Sequence, residues 1–199
     1  MRNYLSIFFI ILAFSCKDKS ESLIDERKIE TQKIVECVIL QDRLNVFKSD
    51  STAMPLLKGL KKLKVHSLSS NLEKIPPKPQ DGIYLNDLFY YGLEIVFITK
   101  KDSLNLLKQN ETLKNYSIEN SLSKKIKLTT FQEQKNKFQA NQDAEFLYLT
   151  IPIFSSDNTK AYMEVCEIWF GNCGWGRAIY LEKKNGMWKI VYKNELWVG

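Results

Sequence analysis

Histidine is nearly absent from this chain of 199 residues, which contains only His66, and cysteine occurs four times. So few imidazole and thiol groups exclude a histidine-rich metal site. Glycine (8 residues) and proline (5 residues) are scarce too, which excludes a collagen-like or low-complexity chain. The sequence contains none of the Walker A, dinucleotide-binding, HExxH or EF-hand motifs. We therefore expect neither a bound metal nor a cofactor.

The composition is that of a folded protein, with 44% hydrophobic, 12% aromatic and 26% charged residues. Domains commonly hold about 100–200 residues, so one domain is expected, over residues 23–199. The formal net charge of +6 is typical of proteins that bind nucleic acid or an anionic surface. Residues 56–64 (LLKGLKKLK) place leucines on one side of a predicted helix and lysines on the other. Such a helix suits either a solvated surface or contact with lipid headgroups.

The N-terminus reads MRNYLSIFFIILAFSC, which is one basic residue, a nearly unbroken apolar run and a cysteine. The run is shorter than the ~20 residues of a membrane-spanning helix, so it predicts a signal peptide over residues 1–15. With Ala13 and Ser15 before Cys16, this segment resembles a bacterial lipoprotein signal. The resemblance implies that the Cys16 sulfur carries a diacylglyceryl group and that acyl chains such as palmitate anchor the protein.

Lipidation predicts a protein anchored to the cell envelope through Cys16, with residues 16–22 as a polar tether. Lys17 stands where an aspartate retains enterobacterial lipoproteins at the inner membrane, so the outer membrane is the expected location. An envelope location argues against nucleic acid despite the positive charge. The expected partners are the membrane itself and either an envelope protein or a small ligand.

Three other cysteines remain, an odd number for an oxidising compartment. Cys37 lies in the helical-looking segment VECVIL, so we expect a buried, inert thiol. Cys166 and Cys173 flank a Gly-rich segment and form either a disulfide or two unpaired thiols. The sequence leaves both readings open, because the distance between them is not set by spacing.

Periodicity and capping residues predict three helices. They cover residues 23–48, 103–109 and 131–138, and their candidate caps are Ser22 or Asp25, Asp102 or Ser103, and Thr129 or Thr130. Alternating or β-branched runs predict strands at residues 93–99, 146–154, 161–170, 177–183 and 188–193. Residues 75–82 are a proline-rich loop, and residues 171–176 (GNCGWG) are a Gly-rich turn.

Asn185-Gly186 is the strongest local signal, because a type I′ hairpin turn needs positive φ at both central positions. Such a turn sets the strand register. It places Lys184 opposite Met187, Glu182 opposite Lys189, and Leu181 opposite Ile190. From this register, one core face is predicted to carry Ile179, Leu181, Ile190 and Tyr192.

The predicted class is α+β, with an N-terminal helix and a mixed helical and loop region packed on a C-terminal antiparallel meander. The "PIFS" segment at 152–155, the Cys/Gly-rich segment at 171–176 and the "NGMWK" hairpin at 185–189 resemble uncharacterised Bacteroidetes lipoproteins. Similar hairpins end many cystatin-like and NTF2-like folds. The resemblance implies a location in the cell envelope and the architecture of the C-terminal strands. It implies no known activity and no catalytic residue.

Aromatic side chains are the strongest candidates for ligand contact, namely Tyr90, Tyr91 and especially Trp175 in the Gly-rich segment. Catalysis would need Cys173 beside His66, or a carboxylate pair, but no accompanying motif supports either. Glu164 and Glu167 are three positions apart on a predicted strand, which points them to opposite faces.

The sequence therefore favours a non-enzymatic, membrane-anchored module that binds a partner in the envelope. One alternative is a small-ligand cup of NTF2-like type, lined by the predicted core face and covered by too little helix to fill it. The other is an envelope hydrolase that uses Cys173 or a carboxylate.

Overall fold

The computed structural model describes residues 19–68, 79, 82–92, 95–112, 115–119, 121–169 and 173–199. The fold is α+β, as predicted. Its helices are α1 (Lys19–Gln41), α2 (Ser103–Lys108) and α3 (Phe131–Gln139). The predicted signal peptide, Cys16 and most of the predicted proline-rich loop lie outside the described residues. Among the described helices, none is both long enough and apolar enough to cross a membrane.

Eleven strands are described in chain order. They are β1 (Leu56–Leu57), β2 (Lys64–His66), β3 (Gly82–Tyr84), β4 (Tyr90–Tyr91), β5 (Ile95–Val96), β6 (Leu128–Thr129), β7 (Glu145–Leu149), β8 (Ile153–Phe154), β9 (Lys160–Trp169), β10 (Cys173–Lys184) and β11 (Met187–Val198). Seven of them form the main sheet in the order β11-β10-β9-β7-β1-β6, with β8 paired to β9. Two small sheets, β2-β3 and β4-β5, stand beside it.

The C-terminal hairpin confirms the predicted register. Asn185 and Gly186 have φ values of 52° and 77°, and Leu181 pairs with Ile190. Just beyond this pair the register shifts, so that Tyr180 faces Tyr192. The extra residue on β11 is a β-bulge, which moves the following side chains to the other face of the sheet as far as a second register shift after Glu195. The prediction that Tyr192 shares a face with Leu181 is therefore wrong.

The two long strands β10 and β11 extend further than the sequence predicted. The Gly-rich segment is not simply a turn, because β10 already begins at Cys173. The indole ring of Trp197 packs against Gly174 and Gly176. The Trp197 backbone pairs with Gly176 across the two strands. A Cβ added to Gly176 would lie 2.2 Å from the indole nitrogen, so only glycine leaves room for the ring there.

The predicted strand at 146–154 is interrupted between β7 and β8. There, Thr150-Ile151-Pro152 leaves the regular ladder. The Ile151 N–H bonds instead to the Lys61 carbonyl, at 2.8 Å. Proline has no N–H to donate, which favours a break at this place. The predicted strand at 93–99 shrinks to β5, and Leu93 and Glu94 lie outside the described residues.

Two short helices were predicted correctly. Thr130 caps α3 in a reciprocal capping box with Glu133, and Asp102 precedes α2. The first helix begins earlier and ends earlier than predicted, since it stops at Gln41 and Arg43 adopts a φ of 53°. Its predicted caps Ser22 and Asp25 consequently lie inside the helix.

Residues 56–64 do not form the predicted amphipathic helix. The segment begins with β1, continues without helix and ends at the first residue of β2. Its leucines at 56, 60 and 63 are nevertheless buried, while the lysines at 58, 61, 62 and 64 are exposed. The predicted separation of leucines from lysines is thus confirmed, whereas the predicted helical backbone is wrong.

The main sheet separates two hydrophobic cores. The first core lies between α1 and one face of the sheet, and its centre is formed by Ile34, Val35, Val38, Ile39, Met163, Val165, Ile179 and Leu181. The second core lies on the opposite face, under β2–β5 and α2, and contains Phe97, Leu106, Tyr162 and Tyr180. Alternation along β9 and β10 supplies both cores, because successive side chains of a strand point to opposite faces.

Buried polar contacts fix α1 on the sheet. The Glu30 carboxylate accepts a bond from Trp188 Nε1 at 2.7 Å and pairs with Lys183 at 2.8 Å and with Lys33 at 2.9 Å. Directly after the helix end, the Asp42 carboxylate pairs with Arg177 at 2.8 Å and with Lys193 at 2.9 Å. The middle of α1 and its C-terminal end are thus both tied to the final hairpin.

These contacts make stability depend on acid pH. Burial alone would raise the pKa of Glu30, but hydrogen bonds from Lys183, Lys33 and Trp188 outweigh it and lower the pKa from 4.5 to about 2. A carboxyl with a lowered pKa stabilises the fold while ionised, so the stabilisation is complete above pH 4.5 and is lost as the pH falls towards 2.

We expect the wild type to lose about 1.5 kcal/mol more unfolding free energy than Glu30→Gln between near-neutral pH and about pH 3. The figure is reduced for solvent screening, since the Lys33 side chain is 52% exposed. Urea unfolding of both proteins at the two pH values measures it. Parallel losses in the two proteins would contradict the role of Glu30.

Candidate functional site

A groove opens on the face of the main sheet that α1 does not cover. It has a volume of about 250 Å³. We call it the tyrosine groove, and its lining residues are Ile83, Asp87, Tyr90, Tyr91, Gly92, Tyr162, Tyr180, Tyr192, Asn194 and Leu196. The strands β9, β10 and β11 supply the floor and one wall, and the β4–β5 hairpin supplies the other wall.

The floor is a rigid aromatic layer. The rings of Tyr162 and Tyr180 meet edge to face with centroids 5.0 Å apart, and Phe97 packs on Tyr180 at the same distance. Tyr162 is fully buried, and its hydroxyl donates to the Glu164 carboxylate at 2.9 Å. Because these rings are held from several sides, the floor keeps its shape without a ligand.

The walls are more accessible. Tyr91 stacks on Tyr192, with centroids 4.9 Å apart and planes 21° from parallel. Gly92 follows with a φ of 58°, which lets the chain turn beside the Tyr192 ring. Tyr90 is 46% exposed at the rim. Aromatic surface is therefore available to a ligand at the mouth of the groove.

Two carboxylates, Asp87 and Glu164, act on the tyrosine hydroxyls of the floor. Burial is the main cause that raises the pKa of both Tyr162 and Tyr180, and the charges of Asp87 and Glu164 raise each further. Both hydroxyls consequently stay protonated at physiological pH. Among the described residues that line the groove, none is lysine, arginine or histidine.

The three residues predicted from the sequence to contact a ligand do not lie together in the structure. Tyr90 and Tyr91 line the groove, and their contact with a ligand stays a prediction. Trp175 points to the opposite face, where it packs against the first core. Its Nε1 donates to Glu167 at 2.9 Å, and the Arg177 guanidinium lies 4.6 Å from its ring centroid. Trp175 is half-buried and fully engaged, so its predicted role as an exposed platform is not supported.

Of the two states left open for Cys166 and Cys173, the geometry favours thiols that are not joined to each other. Cys166 is buried, forms no disulfide and faces Gly176 across the ladder, whereas Cys173 pairs with Trp169. Three residues of strand, roughly 10 Å, separate Cys173 from the position opposite Cys166, beyond the reach of a disulfide. Cys37 is buried as predicted, and burial raises its pKa to about 11, which keeps the thiol unreactive.

The geometry gives little support to either hydrolytic site considered from the sequence, the carboxylate pair or Cys173 with His66. Glu164 and Glu167 lie on opposite faces of an unbulged β9, as predicted. His66 belongs to the small β2-β3 sheet, while Cys173 begins a strand of the main sheet. In the part of the chain that the structure describes, no group of three or more His, Cys, Asp or Glu side chains is placed to hold a metal.

The cup predicted on the face of Ile179, Leu181 and Ile190 is filled. Both Ile179 and Leu181 have no exposed surface, because α1 covers them. The open groove lies on the reverse side of the same strands. A signal for it existed in the sequence, since Tyr162 and Glu164 alternate with the apolar Ala161, Met163 and Val165 along β9.

Comparison with known proteins gives no relative to guide interpretation. No protein-family model matches the chain, no curated protein matches it, and no solved structure matches it. The tyrosine groove and the sequence pattern at the N-terminus are two features of the chain that bear on its function.

Proposed function

We propose that the protein is a lipid-anchored, non-enzymatic binding protein of the bacterial cell envelope, and that it binds a small ligand in the tyrosine groove. The observation that carries the proposal is the groove itself, a preformed aromatic concavity with a few polar groups at its edge. Small-molecule sites are typically concave and aromatic, with a small number of polar groups that orient the ligand.

The two faces of the main sheet differ in a way that supports this function, because one is packed and the other is partly open. One face binds α1 and holds the first core, with side chains such as Ile34, Val38 and Leu181 that have no exposed surface. The other face keeps Tyr91 and Tyr192 half-buried beside an open volume. Stability and binding therefore draw on different side chains of the same strands.

The size of the groove favours a small compound over a polymer. A volume of about 250 Å³ lies just below the range of about 300–1,000 Å³ that is common for ligand pockets. A protein partner would instead need a contact patch of about 800 Å² on each side. A ligand of a few atoms more than a sugar ring or an amino acid would fill the space.

Native mass spectrometry tests the proposal directly. The mature chain is incubated with the low-molecular-weight fraction of a bacterial envelope extract. We expect a bound mass on the wild type and on the control Tyr148→Leu, whose half-buried ring lies outside the groove. Tyr192→Leu, in the groove wall, is expected to lose it. A mass that survives in Tyr192→Leu, or no bound mass in any variant, would reject the groove as the site.

Anchoring is tested separately in cells. Labelled palmitate should enter the wild-type chain and not Cys16→Ala, and the variant should leave the membrane fraction. Incorporation into Cys16→Ala would refute the assignment of the lipidated residue. Because Cys16 and the groove are tested by different readouts, each half of the proposal stands or fails independently.

A further inference from the structure

We infer that the protein has a second binding site, separate from the tyrosine groove, for a neutral glycan. The site is a cleft of about 280 Å³, where the loop after α3 meets the first residue of β7 and the last residue of β9. We call it the tryptophan cleft, and it is lined by Trp169, Phe138 and residues 141–145. No described residue lines both this cleft and the groove, so the inference does not rest on the proposed function.

An exposed tryptophan forms one side of the cleft. Trp169 is 41% exposed, although tryptophan is on average a highly buried residue. Its Nε1 donates to one oxygen of the Glu167 carboxylate, and Trp175 Nε1 donates to the other oxygen at 2.9 Å. Among the described residues, no other ring stacks on Trp169 and no cation lies over it. The indole is therefore held by its edge, so it loses little side-chain entropy when a ligand binds.

The polar loop of the cleft is also fixed. Asn141 follows α3 with a φ of 54°, and the Gln142 N–H bonds back to the last turn of the helix at 3.0 Å. Ala144 is buried and anchors the other end of the loop. Glu145 then pairs with Trp169 across the β7–β9 ladder. Side chains directly opposite each other lie on the same face of a sheet, with Cβ atoms about 5 Å apart, so the carboxylate stands beside the indole.

The polar side chains of this loop have no hydrogen-bond or ion-pair partner within the described part of the chain. They are the amides of Asn141 and Gln142 and the carboxylates of Asp143 and Glu145, and all four are exposed. An amide both donates and accepts hydrogen bonds, whereas a carboxylate only accepts them. A sugar hydroxyl donates and accepts too, so it satisfies both kinds of group. A simple cation would leave the amide donors unused, and the two carboxylates would repel an anion.

A sugar ring also suits the exposed indole. One side of a pyranose presents C–H groups, while its rim carries hydroxyls. The face of an indole carries negative charge density, which attracts the slightly positive C–H groups. With Glu145 beside Trp169, one sugar can stack on the ring and bond to the carboxylate at its rim. Because the polar side chains are exposed, the cleft is open to solvent and accepts a sugar unit within a chain.

Titration calorimetry of the purified mature chain tests the inference. The probes are cellohexaose, maltohexaose and mannohexaose, three neutral glycans that differ in linkage and stereochemistry, with spermidine as a cationic probe. We expect at least one glycan to bind, with an affinity that changes less than about twofold between about 50 and 500 mM NaCl, because a neutral ligand has no charge to screen. Trp169→Ala should weaken binding at least about tenfold, and Glu145→Gln should weaken it several-fold.

Matched controls separate the cleft from the rest of the surface. Trp169→Phe keeps an aromatic face at the same place and should retain most of the binding. Glu36→Gln removes an exposed carboxylate of α1 outside the cleft and should bind as the wild type does. The melting temperature of each variant checks folding. Gln142→Ala, at an exposed loop residue, should weaken binding several-fold and keeps the test decisive where Trp169→Ala fails to fold.

Three outcomes would overturn the inference. Glycan binding that neither Trp169→Ala nor Gln142→Ala weakens would place the sugar elsewhere. Failure of all three glycans to bind at about 10 mM would exclude a useful affinity. Binding of spermidine without any glycan would show a site for cations. None of these results decides the function of the tyrosine groove, because a glycan chain is excluded from the low-molecular-weight fraction used to test it.

Discussion

Replacing Trp188 by alanine is expected to lower the free energy of unfolding by about 4 kcal/mol, in the range for a buried tryptophan. The side chain is 4% exposed and packs edge to face on Phe154, with ring centroids 6.0 Å apart. Its Nε1 donates to Glu30 at 2.7 Å. The variant would lose the packing and leave a buried carboxylate with one partner fewer, so two costs add together.

Urea unfolding followed by circular dichroism measures this effect. Trp188→Phe keeps most of the ring and loses the N–H donor, so we expect a smaller cost of about 2 kcal/mol, typical of a bond to a charged group. Trp169→Ala serves as the matched control, because Trp169 is 41% exposed and should lose less than about 1 kcal/mol. A loss in Trp188→Ala no larger than in Trp169→Ala would refute the role assigned to Trp188.

Removal of the Asp42 carboxylate is the second large effect. Asp42→Ala should cost about 3 kcal/mol, because its side chain is 1% exposed and pairs with both Arg177 and Lys193. The loss would leave the Arg177 guanidinium with the Trp175 ring but without its anion. The end of α1 would then be held to the final hairpin by the hydrogen bonds of Gln41 with Trp188 and Ile190.

A double-mutant cycle isolates the pair. Arg177→Leu alone and Asp42→Ala alone should each destabilise, and the double variant should cost at least 1 kcal/mol less than their sum. Asp143→Ala, at an exposed aspartate of the loop before β7, should change stability by less than about 0.5 kcal/mol. Additive losses in the double variant would show that Asp42 and Arg177 act independently.

The sequence predicts those elements of the fold that depend on a single local interaction. The Asn185-Gly186 turn needs only two residues with positive φ, and the Thr130 cap needs only a hydroxyl and Glu133 three positions later. These signals act within a few residues, so tertiary context does not override them. The α+β class followed from them together with the helical periodicity of α1.

Other parts depend on contacts between distant segments. The strands β1 and β6 contain two residues each and pair in parallel across about seventy positions, which no local pattern announces. The break at Thr150-Ile151-Pro152 occurs because Ile151 bonds to Lys61, a residue far away in the sequence. Asp42, directly after α1, likewise pairs with Arg177, which lies 135 positions away in the sequence.

The candidate site shows the same limit. Tyr90 and Tyr91 were predicted as ligand contacts from their aromatic character, but their partners Tyr162, Tyr180 and Tyr192 were not. Which sheet face stays open depends on where α1 docks. The helix covers the face of Ile179 and Leu181, as the predicted α+β packing required, and only the alternative of a ligand cup left that face open. Trp175 was chosen as exposed because its glycine neighbours suggested a turn, whereas those glycines accommodate the Trp197 ring.

The irregular register of β11 also bears on solubility. This strand is the outer member of the main sheet, twelve residues long, with an unpaired side turned to solvent. A long, regular edge is a template for pairing with another copy and for aggregation. The two register shifts along β11, together with the exposed Lys189 and Lys193, interrupt that template. The irregularities that bring Tyr192 to the groove and Trp197 to its glycines thus also protect the protein from pairing edge to edge with another copy.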